Sequence, residues 1–101
     1  MEVRYTLCLK VGQYFYYDGR ISESVKWIEE SCQWREEHLA EEHRHRLASQ
    51  HVLAMAYLAD GQIKKAVELM EHVVAIKKLV YRKDDPSRLV SESVLNYFTT
   101  K

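Results

Sequence analysis

Between Leu47 and Tyr81 apolar side chains recur at helical spacing, without the alternation of a strand. Leu47, Val52, Leu53, Ala56, Tyr57 and Leu58 trace one face at intervals near 3.6 residues. Ala59-Asp60-Gly61 then supplies a residue that tolerates the left-handed backbone of a helix C-cap. Beyond it Ile63, Ala66, Val67, Met70, Val73, Val74, Lys77, Val80 and Tyr81 trace a second face, on which Lys77 buries at most its stem. The pattern predicts a helix A of about 13 residues, a tight turn, and a helix B reaching about Arg82. Asp85-Pro86 offers a capping oxygen followed by a proline at the first helical position, so another helix starts there.

The same plan stands upstream, with helix A from Val3 to Tyr17, helix B from Ser22 to Glu42, and a break around His43-Arg44. Asp18-Gly19-Arg20-Ile21 returns as Asp60-Gly61-Gln62-Ile63, a shift of 42 residues. That shift carries Val25 onto Val67, Glu29 onto Glu71, Leu47 onto Leu89, Ser49 onto Ser91, and Arg4 through Arg46 to Arg88. The chain is therefore one domain over 1–101: a unit at about 5–46, a second at about 47–88, and a half unit or capping helix at 89–101. Five helices in two antiparallel hairpins plus a closing helix make an all-α solenoid. Helix B also carries a second stripe, Trp27 and Trp34 in one unit and Leu69 and Ile76 in the next, which predicts burial between neighbouring elements, the alternative being an exposed Trp patch for a partner.

Composition narrows what such a chain does. Its 101 residues hide roughly two thirds of their unfolded surface, enough for one core but not for a core and a large catalytic cavity. Fifteen basic against fifteen acidic residues argue against a nucleic-acid or anionic-membrane surface. No stretch approaches a membrane span, and the charges in MEVRYTLCLKVG break up any signal-peptide core, so the expected setting is the cytoplasm. Cys8 and Cys32 fall inside apolar patterns and read as reduced core residues. The five histidines, His38, His43, His45, His51 and His72, lack the two-His helical face of a zinc site, and neither a nucleophile with its base nor a phosphate loop is readable. No catalytic residue, metal or cofactor is expected.

With Gly12, Phe15, Gly19, Ser24 and Ile28 in one unit and Ala54, Tyr57, Gly61, Ala66 and Met70 in the next, the chain resembles a tetratricopeptide repeat array. Its 42-residue period resembles the kinesin-light-chain-like variety, longer than the usual ~34 residues. Leu47-Ala-Ser-Gln-His51 and the run from Gly61 to Val74 also resemble the repeats that end fungal NOD-like receptors, behind a NACHT or NB-ARC domain. Two departures stand out. Neither junction, His43-Arg44 or Asp85-Pro86, carries the family's whole His-Pro dipeptide, and Gln13, Met55 and Tyr97 occupy positions where kinesin-light-chain-like grooves often place asparagine.

The resemblance implies a right-handed α-solenoid that binds a protein or peptide on the concave face of its A helices. By register that face comprises Thr6, Leu9, Gln13, Tyr16 and Tyr17, then Ala48, His51, Met55 and Leu58, then Ser93 and Tyr97. Tyr and Met give large, adaptable contact area. A second mode follows from charge: residues 29–46 hold six Glu against three Arg, whereas residues 62–83 hold six Lys plus Arg against two Glu. Opposite ends of two copies would attract, giving a homo-oligomer by end-to-end stacking. The competing expectation is a spacer that simply stacks within a longer array.

Overall fold

The structure, a computed structural model, describes residues 2–100, with side chains from Leu7 onward. Five helices follow one another: α1 Glu2–Tyr17, α2 Ile21–His38, α3 Arg44–Ala59, α4 Ile63–Val80 and α5 Pro86–Thr99. No strand occurs among the described residues. Each helix packs on the next, α1 on α2, α2 on α3, α3 on α4 and α4 on α5, as in an α-solenoid. The whole measures 34 × 33 × 20 Å.

The hairpin turns are set by Gly19 and Gly61, with φ of 84° and 82°. In that conformation the Gly19 amide donates to Tyr16 O and the Arg20 amide to Phe15 O at 2.9 Å; Gly61 and Gln62 repeat both bonds on Leu58 and Tyr57. Orphan carbonyls at the ends of α1 and α3 are thereby satisfied. Gly12 has a different purpose: a Cβ there would lie 2.5 Å from Ile28 Cγ1 and 3.2 Å from two backbone atoms of α2. The crossing of α1 and α2 is close because that position has no side chain.

The B helices end earlier than the hydrophobic pattern indicates. α2 stops at His38, short of Glu42, and α4 at Val80, short of Arg82. At Leu39 and Tyr81, one repeat apart, the backbone becomes extended, with ψ of 150° at both. An arginine from the following A helix holds each bend: Arg46 Nη1 donates to Glu36 O and Leu39 O at 3.0 and 3.1 Å, and Arg88 Nη1 to Tyr81 O at 3.1 Å. Buried cations on the B helices stitch the same junctions from the other side. Arg35 Nη1 donates to His45 O at 2.9 Å, and Lys77 Nζ reaches Ser87 O, one repeat later, at 3.3 Å. The side chains of His43 and Asp85 then cap α3 and α5, Asp85 Oδ1 accepting from the Ser87 and Arg88 amides. The recurrent arginine thus ties one repeat to the next.

Two apolar clusters run down the solenoid. Val25, Ile28, Cys32, Leu53 and Ala56 form one; Ala54, Ala66, Met70, Val73, Val74 and Phe98 form the other. Leu69 packs against both, as the second stripe on helix B requires. Trp27 departs from that expectation: it is 39% exposed. Trp34 instead stacks on His38 of its own helix, with centroids 4.2 Å apart. Cys8 and Cys32 are buried in the core and form no disulfide. Burial, reinforced by the neighbouring Glu36 carboxylate, pushes the Cys32 thiol up to about 12, so it stays protonated.

Candidate peptide-binding face

Most of the residues expected on the concave face come to lie in two adjoining hollows. Tyr16, Met55, Leu58, Ser93 and Tyr97, with Ala59, Val94 and Phe98, line a cleft of about 450 Å³ between α1, α3 and α5. Gln13, Tyr16, Tyr17, Val52 and Met55 line a shallow extension of about 50 Å³. Tyr16 and Met55 belong to both, so the surface is continuous. Three repeats contribute through equivalent positions, Gln13, Met55 and Tyr97 being 42 residues apart. Helical repeats bring side chains that are remote in sequence onto one face.

No described residue lining the cleft is charged. Its polar groups are the Tyr16 and Tyr97 hydroxyls and Ser93, on a floor formed by Met55, Leu58, Val94 and the buried Phe98. Tyr17 is 83% exposed and meets Tyr16 edge-on at 5.4 Å, while Tyr97 is 54% exposed. Tyrosines standing at the rim of an apolar floor can clamp a bulky side chain while their hydroxyls bond its backbone.

Three of the expected residues lie elsewhere. Leu9 packs against the first core cluster. His51 lines a separate hollow of about 350 Å³ with Ala48, Val52, Lys77, Pro86, Ser87 and Val90, where its Nδ1 lies 2.9 Å from Ser91 Oγ. Thr6 lies outside the residues whose side chains are described.

Sequence patterning gave no sign of a cleft of about 610 Å³ between α2 and α4. Leu53, Tyr57 and Leu69 floor it, and Glu29, Glu36, Glu68, Lys65 and His72 rim it. Tyr57 Oη donates to Glu29 at 2.6 Å, and burial together with that carboxylate raises the phenol above its ordinary range. Lys65 Nζ lies 5.5 Å from the centre of the Tyr57 ring. The register pairs Glu29 with Glu71 but not the residues that face one another across α2 and α4, so only the fold could reveal this cleft. Among the described residues no group of three or more His, Cys, Asp or Glu side chains is arranged to hold a metal ion, and no helix is long and apolar enough to cross a membrane.

The helix-turn-helix units, the glycine turns and the stacking identify the architecture, and residues 5–78 match the tetratricopeptide repeat family. The chain belongs to this family. Among solved structures, this tetratricopeptide array is similar to a Podospora anserina protein named for kinesin light chain with nearly identical TPR-like repeats. The two share 37% identity with a TM-score of 0.91, over 99% of this chain and 47% of that one. A substituted form of the Podospora protein superposes equally well, at 37% identity and a TM-score of 0.90, over 98% of this chain and 47% of the other. The chain thus spans about half the length of these relatives. No curated protein matches it.

Proposed function

We propose that this tetratricopeptide segment is a non-catalytic protein-interaction module that takes an apolar peptide segment of a partner protein in the cleft between α1, α3 and α5. Family membership supports the general role, since repeats of this kind generally mediate protein–protein interaction. The single observation that carries the finer reading is the uncharged cleft of about 450 Å³, built from equivalent positions of successive A helices. It has room for two or three side chains, and its lining selects aromatic or branched aliphatic ones flanked by polar backbone. A charged peptide would lose solvation there and gain no partner, so nucleic acid and acidic membrane surfaces are poor occupants.

The resemblance of Leu47–His51 and Gly61–Val74 to fungal NOD-like receptor repeats supports a place in the sensing or assembly part of such a receptor, in the cytoplasm. The 47% coverage of the Podospora relatives supports a longer parent array. Within it, self-association through the oppositely charged ends is a second mode, favoured by the split of charge between residues 29–46 and 62–83. A spacer without a ligand is the alternative that the cleft argues against.

The test is selection from a displayed library of random 12-residue peptides, followed by calorimetry. Selected peptides carrying apolar anchors should lose at least tenfold in affinity on Met55→Glu while circular dichroism stays unchanged. Peptides rich in acidic or basic residues that bind Met55→Glu as well as wild type would overturn the reading.

A further inference from the structure

The second repeat junction contains a polar chain that the first lacks. Lys77 of α4 is only 3% exposed and directs its ammonium at three oxygens of α5: Ser87 Oγ and Ser91 Oγ at 2.8 Å, and Ser87 O at 3.3 Å. An ammonium can only donate, so Ser91 Oγ accepts from it. The one hydroxyl proton of Ser91 is then free to go to His51 Nδ1 of α3, 2.9 Å away. That bond requires a neutral imidazole whose proton sits on Nε2.

The first junction has the same scaffold without the imidazole. One repeat earlier Arg35 stands for Lys77, Ser49 for Ser91 and Leu9 for His51. There the Ser49 hydroxyl turns back to donate to Arg46 O at 2.9 Å, and Leu9 packs into the core. We propose that His51, Ser91 and Lys77 form an acid-sensitive latch: protonation of His51 sets two cations against one hydroxyl and releases α5 from α3 and α4, leaving the first junction closed.

Among the described residues, the surroundings offer the imidazolium nothing in compensation, and Lys77 is the only other charged residue lining the hollow. At the start of α5, Asp85 is held by Arg44 at 3.0 Å and by its own helix amides, and Arg88 and Glu92 pair with each other at 3.0 Å. Burial, then the field of Lys77, depresses the His51 imidazole to about 4 in the docked state. The hollow of about 350 Å³ gives protons a way in. With His51 reverting to an ordinary imidazole once α5 lifts, the undocked population should rise roughly 20-fold between pH 7 and pH 5. Because α5 carries Ser93, Val94, Tyr97 and Phe98, its release also removes one wall of the α1–α3–α5 cleft. The latch itself does not depend on what that cleft binds.

Hydrogen exchange read by mass spectrometry at pH 7 and pH 5, corrected for intrinsic rates, tests this in the intact chain. Amides of α5 should lose about tenfold or more in protection at pH 5, while those at the α1–α2–α3 junction keep theirs. His51→Leu, which copies the first junction, should abolish the difference. NMR titration of the wild-type imidazole supplies a readout that needs no variant to fold. A His51 that titrates near 6.5, α5 protection equal at both pH values, or an acid response that survives His51→Leu would each overturn the latch.

Discussion

Gly12→Ala is a substitution for which helix propensity and packing predict opposite signs. Alanine at an interior helix position gains about 1 kcal/mol over glycine. Packing opposes this, because the new methyl would lie 2.5 Å from Ile28 Cγ1 and 3.2 Å from Ile28 N and Ser24 O. The two backbone atoms cannot move without shifting α2, and Ile28, fully buried and β-branched, has little rotameric freedom. Overpacking costs about 1–3 kcal/mol, and with two backbone atoms in the way the upper part of that range applies, about 2–3 kcal/mol, so the net effect after the propensity gain is a destabilisation of about 1–2 kcal/mol. At the equivalent site of the second repeat a methyl is already present: Ala54, fully buried, shares a cluster with Met70 in place of isoleucine. An unbranched thioether yields where isoleucine does not. Gly12→Ala combined with Ile28→Met should therefore recover most of the loss, with a coupling energy of about 1 kcal/mol in a double-mutant cycle. Urea unfolding followed by circular dichroism reads every corner of that cycle. A Gly12→Ala protein as stable as wild type, or a double variant no better than the sum of its parts, would refute the packing argument.

Three further predictions follow from the same geometry. Gly61→Ala forces a side chain onto a residue at φ 82° and should cost about 1 kcal/mol by urea unfolding, although nothing lies within 4 Å of the new methyl. Arg46→Ala removes the donor to Glu36 O and Leu39 O and should destabilise by about 1.5–3 kcal/mol, with Arg46→Lys restoring only part because one ammonium replaces a planar fork. Because His51 is depressed to about 4 against an ordinary 6.5, the unfolded chain binds the proton first. Its contribution is therefore complete above pH 6.5 and is lost as pH falls toward 4. Partial exposure scales this to about 1–2 kcal/mol. Urea midpoints at about pH 7.5 and 4.5 should separate wild type from His51→Leu by that amount.

The repeat, the hairpins and the caps were legible because each rests on local chemistry. Asp-Gly fixes both left-handed turns, and Asp85-Pro86 opens α5 with the anticipated cap. The ends of the B helices were not legible, because Ala40–Glu42 continues a helical pattern and only the Arg46 side chain, arriving from the next helix, shows why the backbone extends at Leu39. Lys77 read as a surface lysine burying its stem, whereas its ammonium is buried and stitches α4 to α5. Register placed Tyr16, Met55, Leu58, Ser93 and Tyr97 on one face, and they line one cleft. It could not distinguish His51 and Leu9, which hold equivalent positions but meet a serine hydroxyl in one junction and core side chains in the other.

Whether the A-helix cleft is the surface that engages a partner is decided most directly by methyl NMR of the chain titrated with a selected apolar peptide. Shifts should concentrate at the methyls of Met55, Leu58 and Val94, which line that cleft, with those of Leu69 across the molecule unmoved. Shifts centred instead on Leu53 and Leu69, in the cleft between α2 and α4, would place the partner on the other face and refute the assignment.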